Sequence, residues 1–108
     1  MAHQVLLTDD AVRDLEELLT YIAEHDSHAS AQHVLDRIDA PLGNLGTFPA
    51  RGNHPTELLE LGIREYREVF FKPYRIIYRV ASEAVYVYLI VDGRRDMRTL
   101  LEWRLLRG

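Results

Sequence analysis

Residues 63–91 decide the fold, and they read IREYREVFFKPYRIIYRVASEAVYVYLIV. Aromatic and β-branched side chains recur in this stretch with a period of two, which is typical of β-strands. Lys72-Pro73 and the segment 81–83 are short connections of the kind that join antiparallel neighbours. The stretch therefore predicts a meander of three strands, at residues 63–71, 74–80 and 84–91. Because the last strand is apolar on both faces, we expect it to be central and covered on both sides.

Two amphipathic helices precede this meander. Apolar residues recur at helical spacing over residues 9–25 and again over residues 28–45. Thr8 is the expected N-cap of the first helix, because its hydroxyl can accept a hydrogen bond from a free backbone N–H of the first turn. Pro41 lies within the second pattern, and since proline lacks a backbone donor, we expect that helix to kink or restart near Ile38. The short connection between the helices predicts an αα-hairpin.

The remaining segments complete a single domain that covers residues 1–108. Gln4–Leu7 reads as a short first strand, residues 46–62 are rich in turn formers, and residues 96–106 have the apolar spacing of a final helix. The element order is β-α-α-β-β-β-α. It predicts an α+β fold in which an N-terminal strand and an αα-hairpin pack on an antiparallel β-sheet.

The composition is that of a globular protein that we expect in the cytoplasm. The sequence has no cysteine, no leader-like N-terminus and no apolar run long enough to span a membrane. The net charge of −4 is uneven: residues 1–56 hold three basic and nine acidic residues, whereas residues 57–108 hold ten basic and eight acidic ones. Proteins that grip phosphates usually carry a large positive excess. The balance weighs against tight, unspecific binding to RNA, although a local basic patch stays possible.

Histidines and acidic pairs do not predict a metal site. His25, His28 and His33 are three and five residues apart, whereas two helical ligands on one face are normally four apart. The acidic pairs of the first helix suit its solvated side and its N-terminus. We therefore expect no metal and no cofactor.

Arginines provide the candidate functional surface. Arg75 and Arg79 lie on one face of the middle strand, because side chains alternate along a strand. Arg94 and Arg95 follow the last strand, and Arg98 lies at the start of the final helix. Two interpretations stay open. These cations form a basic binding surface, or they form salt bridges with neighbouring acidic residues, namely Glu65, Glu68, Asp92 and Asp96.

The final helix is a second candidate surface. Trp103 and Leu106 lie off the apolar stripe of this helix. That stripe consists of Met97, Leu100, Leu101 and Leu105. An apolar helix that is wider than a core-facing stripe often binds a partner, but a C-terminal helix can also pack with some excess exposure, and the pattern does not decide between the two.

The ordered set of segments resembles the RelE/ParE superfamily of bacterial toxins. The segments that carry the resemblance are Gly62–Arg67, Tyr74–Val80, Val85–Val87 and Gly93–Asp96, with Ala11, Asp14-Leu15, Tyr21–Ala23, Leu45–Pro49 and Gly52 upstream. They extend over nearly the whole chain. The resemblance implies the toxin half of a type II toxin–antitoxin system, and a cognate antitoxin whose extended and helical C-terminal segment wraps the toxin.

Members of this superfamily differ in their targets. RelE-like members cleave mRNA in the ribosome. In their sequence pattern, an arginine ends the strand before the Tyr-Arg turn. A tyrosine or histidine follows the Gly-basic-Arg element. In this sequence Phe70 or Phe71 occupies the position of that arginine, and Leu101 occupies the position of the tyrosine or histidine. The resemblance therefore favours the ParE-like members, which inhibit DNA gyrase by binding it. In the alternative, a ribosome-dependent endoribonuclease, Arg75 and Arg95 would be the catalytic residues.

The resemblance and the sequence patterns together give the expected sites and partners. The residues expected to contact gyrase are Arg75, Arg79, Arg94, Arg95, Arg98 and Trp103. The residues expected to contact the antitoxin, a ParD-like protein, are Leu15, Leu19, Tyr21, Leu35, Leu100 and Leu101. DNA is expected only as an indirect partner, through the antitoxin. A homodimer and a toxin–antitoxin hetero-oligomer both stay possible.

Overall fold

A sheet and a helical hairpin form the body of the computed structural model, which describes residues 3–106. The strands are β1 (Gln4–Leu7), β2 (Tyr66–Phe71), β3 (Tyr74–Val80) and β4 (Ala84–Asp92). The helices are α1 (Asp9–His25), α2 (His28–Thr47), α3 (Thr56–Leu59) and α4 (Met97–Leu101), and Glu102–Leu106 continue α4 as a π-helical turn. This order confirms the predicted α+β fold.

The strands form one mixed sheet in the order β1-β4-β3-β2. The meander is antiparallel, and β4 occupies the central position that its apolar sequence predicts. β1 pairs in parallel with the first half of β4, so the sheet is not purely antiparallel. Parallel neighbours need a long connection, which the helical hairpin and the first two strands of the meander provide. A β-bulge shifts the register of β3 against β4 next to Ile77, and Tyr88 is the extra residue in β4.

Both long helices begin at side-chain caps. The Thr8 hydroxyl accepts a hydrogen bond from the Ala11 amide at 3.2 Å, as the sequence predicts, and Ser27 caps α2 in the same way. α1 has the predicted bounds. α2 is one helix that continues past Pro41 to Thr47, so it does not restart near Ile38 and ends two residues later than predicted. Its apolar stripe is buried on both sides of the proline, and this packing holds the helix together despite the missing backbone donor.

Two apolar cores lie on the two faces of the sheet. The αα-hairpin covers the first face, and its core contains Ala11, Ile38, Leu42, Leu45, Val69, Ile76, Tyr78, Val85, Val87 and Ile90. The second face carries a smaller core with α3 and α4, formed by Leu58, Tyr66, Ile77, Leu89, Val91, Met97 and Leu101. β4 contributes side chains to both cores, which explains why its sequence is apolar on both faces.

Tyr78 fixes the irregular segment that precedes β2. Its buried hydroxyl donates to the Pro49 carbonyl at 2.7 Å and accepts from the Gly52 amide at 3.0 Å. A Cβ at position 52 would lie 2.7 Å from that hydroxyl oxygen, so the close approach requires glycine. Near this segment the structure differs from the sequence prediction: α3 is an additional helical turn within residues 46–62, and β2 begins at Tyr66 rather than at Ile63.

Candidate target and antitoxin surfaces

Arg75 lies in an ion cluster on the second face of the sheet. Its guanidinium donates to both carboxylate oxygens of Glu57, at 2.8 and 2.9 Å, and to Glu68 at 2.7 Å. Arg75 is 8% exposed and Glu68 is 7% exposed. The Phe70 ring lies beside the cluster, with its centroid 5.9 Å from the guanidinium carbon. For Arg75 the salt-bridge interpretation is therefore correct, and the expectation that it belongs to an exposed basic surface is not met.

Burial and pairing act in opposite directions within this cluster. The hydrogen bonds from Arg75 lower the pKa of Glu57. Burial, together with the nearby charge of Glu57, raises the pKa of Glu68 despite its pairing with Arg75, whereas the hydrogen bonds to Glu57 raise the pKa of Arg75. With all three groups ionised, two carboxylates outnumber one guanidinium and the cluster carries a net charge of −1. Such a cluster repels a phosphate group.

Arg79 lies on the same face as Arg75 but is exposed. The strand register places Leu6, Tyr86, Arg79 and Tyr66 in one row across all four strands. Tyr86 is 36% exposed, whereas Tyr66 is 9% exposed. This part of the second face therefore presents a cation and an aromatic side chain to solvent.

The arginines that follow β4 lie at the surface. Arg94 forms an ion pair with Asp92 at 2.6 Å, and its side chain is 78% exposed. Arg98 forms an ion pair with Glu60, and Arg95 is exposed. Exposed ion pairs add little to stability and are easily exchanged. The three guanidinium groups can therefore contact a partner.

The final helix presents apolar side chains next to these arginines in the chain. Trp103 is 59% exposed and Leu106 is 42% exposed, whereas Met97 and Leu101 are buried. This confirms that Trp103 and Leu106 lie off the apolar stripe. The helix begins one residue later than predicted, because Asp96 is its N-cap and accepts a backbone hydrogen bond from the first turn.

The residues expected to contact the antitoxin do not form one surface. Leu19 and Leu35 line one cleft between α1 and α2, with a volume of about 380 Å³. Tyr21 is 61% exposed and lines two other clefts. Leu15 and Leu100 are half-buried against the first and second cores. Leu101 is 1% exposed because it fills the second core, so its side chain is not at a surface.

Sequence patterns missed an ion pair that joins the C-terminal segment to α1. Arg104 donates to both carboxylate oxygens of Asp14, at 2.9 and 3.0 Å, and also to the Tyr88 carbonyl at 3.0 Å. Asp14 in turn accepts from the Ile90 amide at 3.2 Å. The helical pattern assigns Asp14 to the solvated side of α1, and nothing local connects it with Arg104, which is 90 residues away.

Three histidines lie at the surface of the helical hairpin. His25, His28 and His33 are exposed, and His25 stacks on Tyr21 with ring centroids 4.0 Å apart. Within residues 3–106, no group of three histidine, aspartate or glutamate side chains is placed to hold a metal ion. In the same part of the chain, no helix is both long and apolar enough to cross a membrane.

Similarity to known proteins agrees with this architecture. The protein-family model for the ParE toxin of type II toxin–antitoxin systems (parDE) matches residues 5–97. Toxin ParE3 of Caulobacter vibrioides is 28% identical over 98 residues, which make up 91% of this chain and 94% of that protein. A chain from the chromosomal ParDE system of P. aeruginosa shares the fold, with a TM-score of 0.71 at 16% identity over 84% of this chain and 96% of that one.

These matches define the class of the protein, which is that of the toxins of type II toxin–antitoxin systems. Within this class, the chain belongs to the ParE family. An antitoxin is therefore one of its partners.

Proposed function

We propose that this toxin binds DNA gyrase and inhibits it without catalysing a reaction, and that a ParD-like antitoxin neutralises it in the cytoplasm. The family resemblance supplies gyrase as the target. The observation that supports a binding mechanism is the state of Arg75, whose guanidinium is buried and held by Glu57 and Glu68. The arginine that best suits a catalytic role by sequence therefore has a structural role.

RNA cleavage requires a cation that stabilises charge on phosphorus and groups that transfer protons. The Arg75 cluster has a net negative charge when all its groups are ionised, and it does not offer such a cation. Phe70 is 54% exposed beside it and has no proton to transfer. Leu101 is buried in the second core. These positions are better suited to packing than to chemistry.

The proposed target surface consists of Arg94, Arg95, Arg98 and Trp103, with Arg79 as an additional contact. Cations at the start of a helix oppose its dipole, so folding alone does not favour three arginines beside the N-terminus of α4. Arginine and tryptophan are the side chains that most often dominate protein interfaces. Their exposure leaves them accessible to a protein target.

Expression in a sensitive bacterium tests the proposal. Inhibition of gyrase should induce the DNA-damage response and filamentation, and coexpression of the cognate antitoxin should restore growth. Rapid arrest of translation without DNA damage would instead favour the ribosome-dependent ribonuclease. Normal growth in the presence of correctly folded toxin would contradict both functions.

A further inference from the structure

The segment that carries Trp103 and Leu106 is short. α4 and the π-helical turn that continues it have five residues each, and helices of this length are not stable without tertiary contacts. Leu101 is 1% exposed in the second core, and from the turn itself Leu105 packs against that core while partly buried. Apolar packing therefore holds the start of the segment better than its end.

Arg104 supplies polar contacts for the end of the segment. Its guanidinium donates to both carboxylate oxygens of Asp14, at 2.9 and 3.0 Å, and to the Tyr88 carbonyl at 3.0 Å. The side chains of Arg104 and Asp14 are only 15% and 13% exposed. A bidentate pair fixes orientation as well as distance, because two N–H groups must point at one carboxylate. Arg104 thus joins the turn to α1 and to β4.

The sheet holds Asp14 in place from the other side. The Ile90 amide donates to the Asp14 carboxylate at 3.2 Å. A second carboxylate, that of Asp10, lies 3.8 Å from the Nε atom of Arg104. Asp10 is 56% exposed and also pairs with Arg13, and exposed ion pairs contribute little. Asp14 is therefore the partner that fixes the position of Arg104.

Trp103 directly precedes Arg104 and points away from the core, since its side chain is 59% exposed. Leu106 is 42% exposed, and residues three apart lie on the same side of a helix. One turn therefore carries an anchored side chain next to an exposed apolar pair. Because five residues cannot bend independently of one another, the contacts of Arg104 set the direction of Trp103.

We propose that Arg104 and Asp14 are positioning residues for target binding, whose ion pair holds the π-helical turn so that Trp103 meets the target in a fixed orientation. Side chains and segments that are ordered before binding lose less conformational entropy when the complex forms. The role of the pair in target binding rests on the proposed function, because Trp103 belongs to the proposed target surface. The restraint on Trp103 does not depend on gyrase.

Time-resolved fluorescence anisotropy of the free toxin measures this restraint, because Trp103 is the single tryptophan of the chain. Fast local motion of the indole should have a small amplitude in the wild type and a larger one in Arg104→Met, at a temperature where circular dichroism shows both to be folded. Arg104→Lys keeps the charge without the bidentate geometry and should lie between them, which also provides the test if Arg104→Met does not fold. Arg13→Met removes an exposed arginine from α1 and should match the wild type. Equal local motion in the wild type and the Arg104 variants would overturn the restraint.

Inhibition of supercoiling by purified gyrase measures the effect on the target. The half-inhibitory concentration of Arg104→Met should rise about threefold to tenfold, which is the entropy of immobilising one large side chain expressed as affinity. The double variant Asp14→Asn/Arg104→Met should be no weaker than Arg104→Met alone, because residues that act as one pair are not additive. Arg104→Lys should recover part of the loss.

The two measurements separate the possible failures. An Arg104→Met variant that inhibits as well as an active wild type, although its Trp103 is more mobile, would overturn the positioning role alone. Lack of gyrase inhibition by the wild type would overturn the proposed function and the positioning role with it, whatever the anisotropy shows.

Discussion

Replacement of Arg75 by methionine should destabilise the toxin without abolishing its activity. Arg75 and Glu68 are almost completely buried and Glu57 is partly buried, so the variant leaves one carboxylate buried without its cation. Removal of one partner from a buried ion pair costs about 3–5 kcal/mol. That is a large part of the ~5–15 kcal/mol by which a domain is usually stable.

Urea unfolding at pH 7, followed by circular dichroism, measures this loss. With a slope of about 2 kcal/mol per molar urea, the transition midpoint should fall by about 2 M. The matched control is Arg79→Met, which makes the same change on the same face of β3 at an exposed position. Its free energy of unfolding should change by no more than about 0.5 kcal/mol.

The difference between wild type and the Arg75→Met variant should shrink as the pH falls. Without Arg75, the folded-state pKa of Glu68 lies further above its unfolded value of about 4.3, so the cost of burying its charge disappears as the pH falls through that folded pKa. In the wild type, pairing with Arg75 lowers the pKa of Glu57 in the folded state. The ionised carboxylate therefore stabilises the fold at pH values above its unfolded pKa, and this contribution is lost as the pH falls through the folded pKa.

Two outcomes would refute this reasoning. One is a loss of less than about 1 kcal/mol at pH 7, which would mean that the buried cluster does not hold the fold. The other is an Arg75→Met variant that no longer inhibits its target under conditions in which circular dichroism shows it to be fully folded. In that case Arg75 contacts the target directly.

Three further outcomes are expected. Tyr78→Phe should lower the free energy of unfolding, measured by urea unfolding, by about 1–3 kcal/mol, because the buried Gly52 amide and the partly buried Pro49 carbonyl lose their partner. Tyr86→Phe at an exposed site should have little effect in the same measurement. Gyrase inhibition should be lost in the double variant Arg94→Ala/Arg95→Ala and in the single variant Trp103→Ala, with a nearly unchanged melting temperature. Full inhibition by both variants would show that the target surface lies elsewhere on the toxin. Primer extension on translating mRNA should show no new toxin-dependent ends, and codon-specific cuts would reverse that conclusion.

Local patterns predicted most of the fold because they report on burial along each element. The alternation in residues 74–80 gave the exact bounds of β3, and Thr8 marked the start of α1. The parallel pairing of β1 was not predictable in this way, since it depends on a partner strand far along the chain. α3 is a single turn with no periodicity of its own.

The candidate site was less predictable, because it also depends on contacts between elements that are far apart in the sequence. Sequence placed Arg75 and Arg79 on one face correctly, but it could not show that Glu57 would reach Arg75 from another element and remove it from the surface. The position of Trp103 off the apolar stripe was predictable because its helix has a clear stripe, and the structure shows this side chain to be exposed. The Asp14–Arg104 pair joins the two ends of the chain, and only the tertiary fold brings them together.

The most direct test of the central claim is the supercoiling of relaxed plasmid by purified gyrase in the presence of increasing amounts of purified toxin. Supercoiling should fall as the toxin approaches the concentration of gyrase, and toxin preincubated with its antitoxin should have no effect. Full supercoiling activity in a large excess of folded toxin, with cleavage of mRNA on ribosomes by the same preparation, would contradict the account.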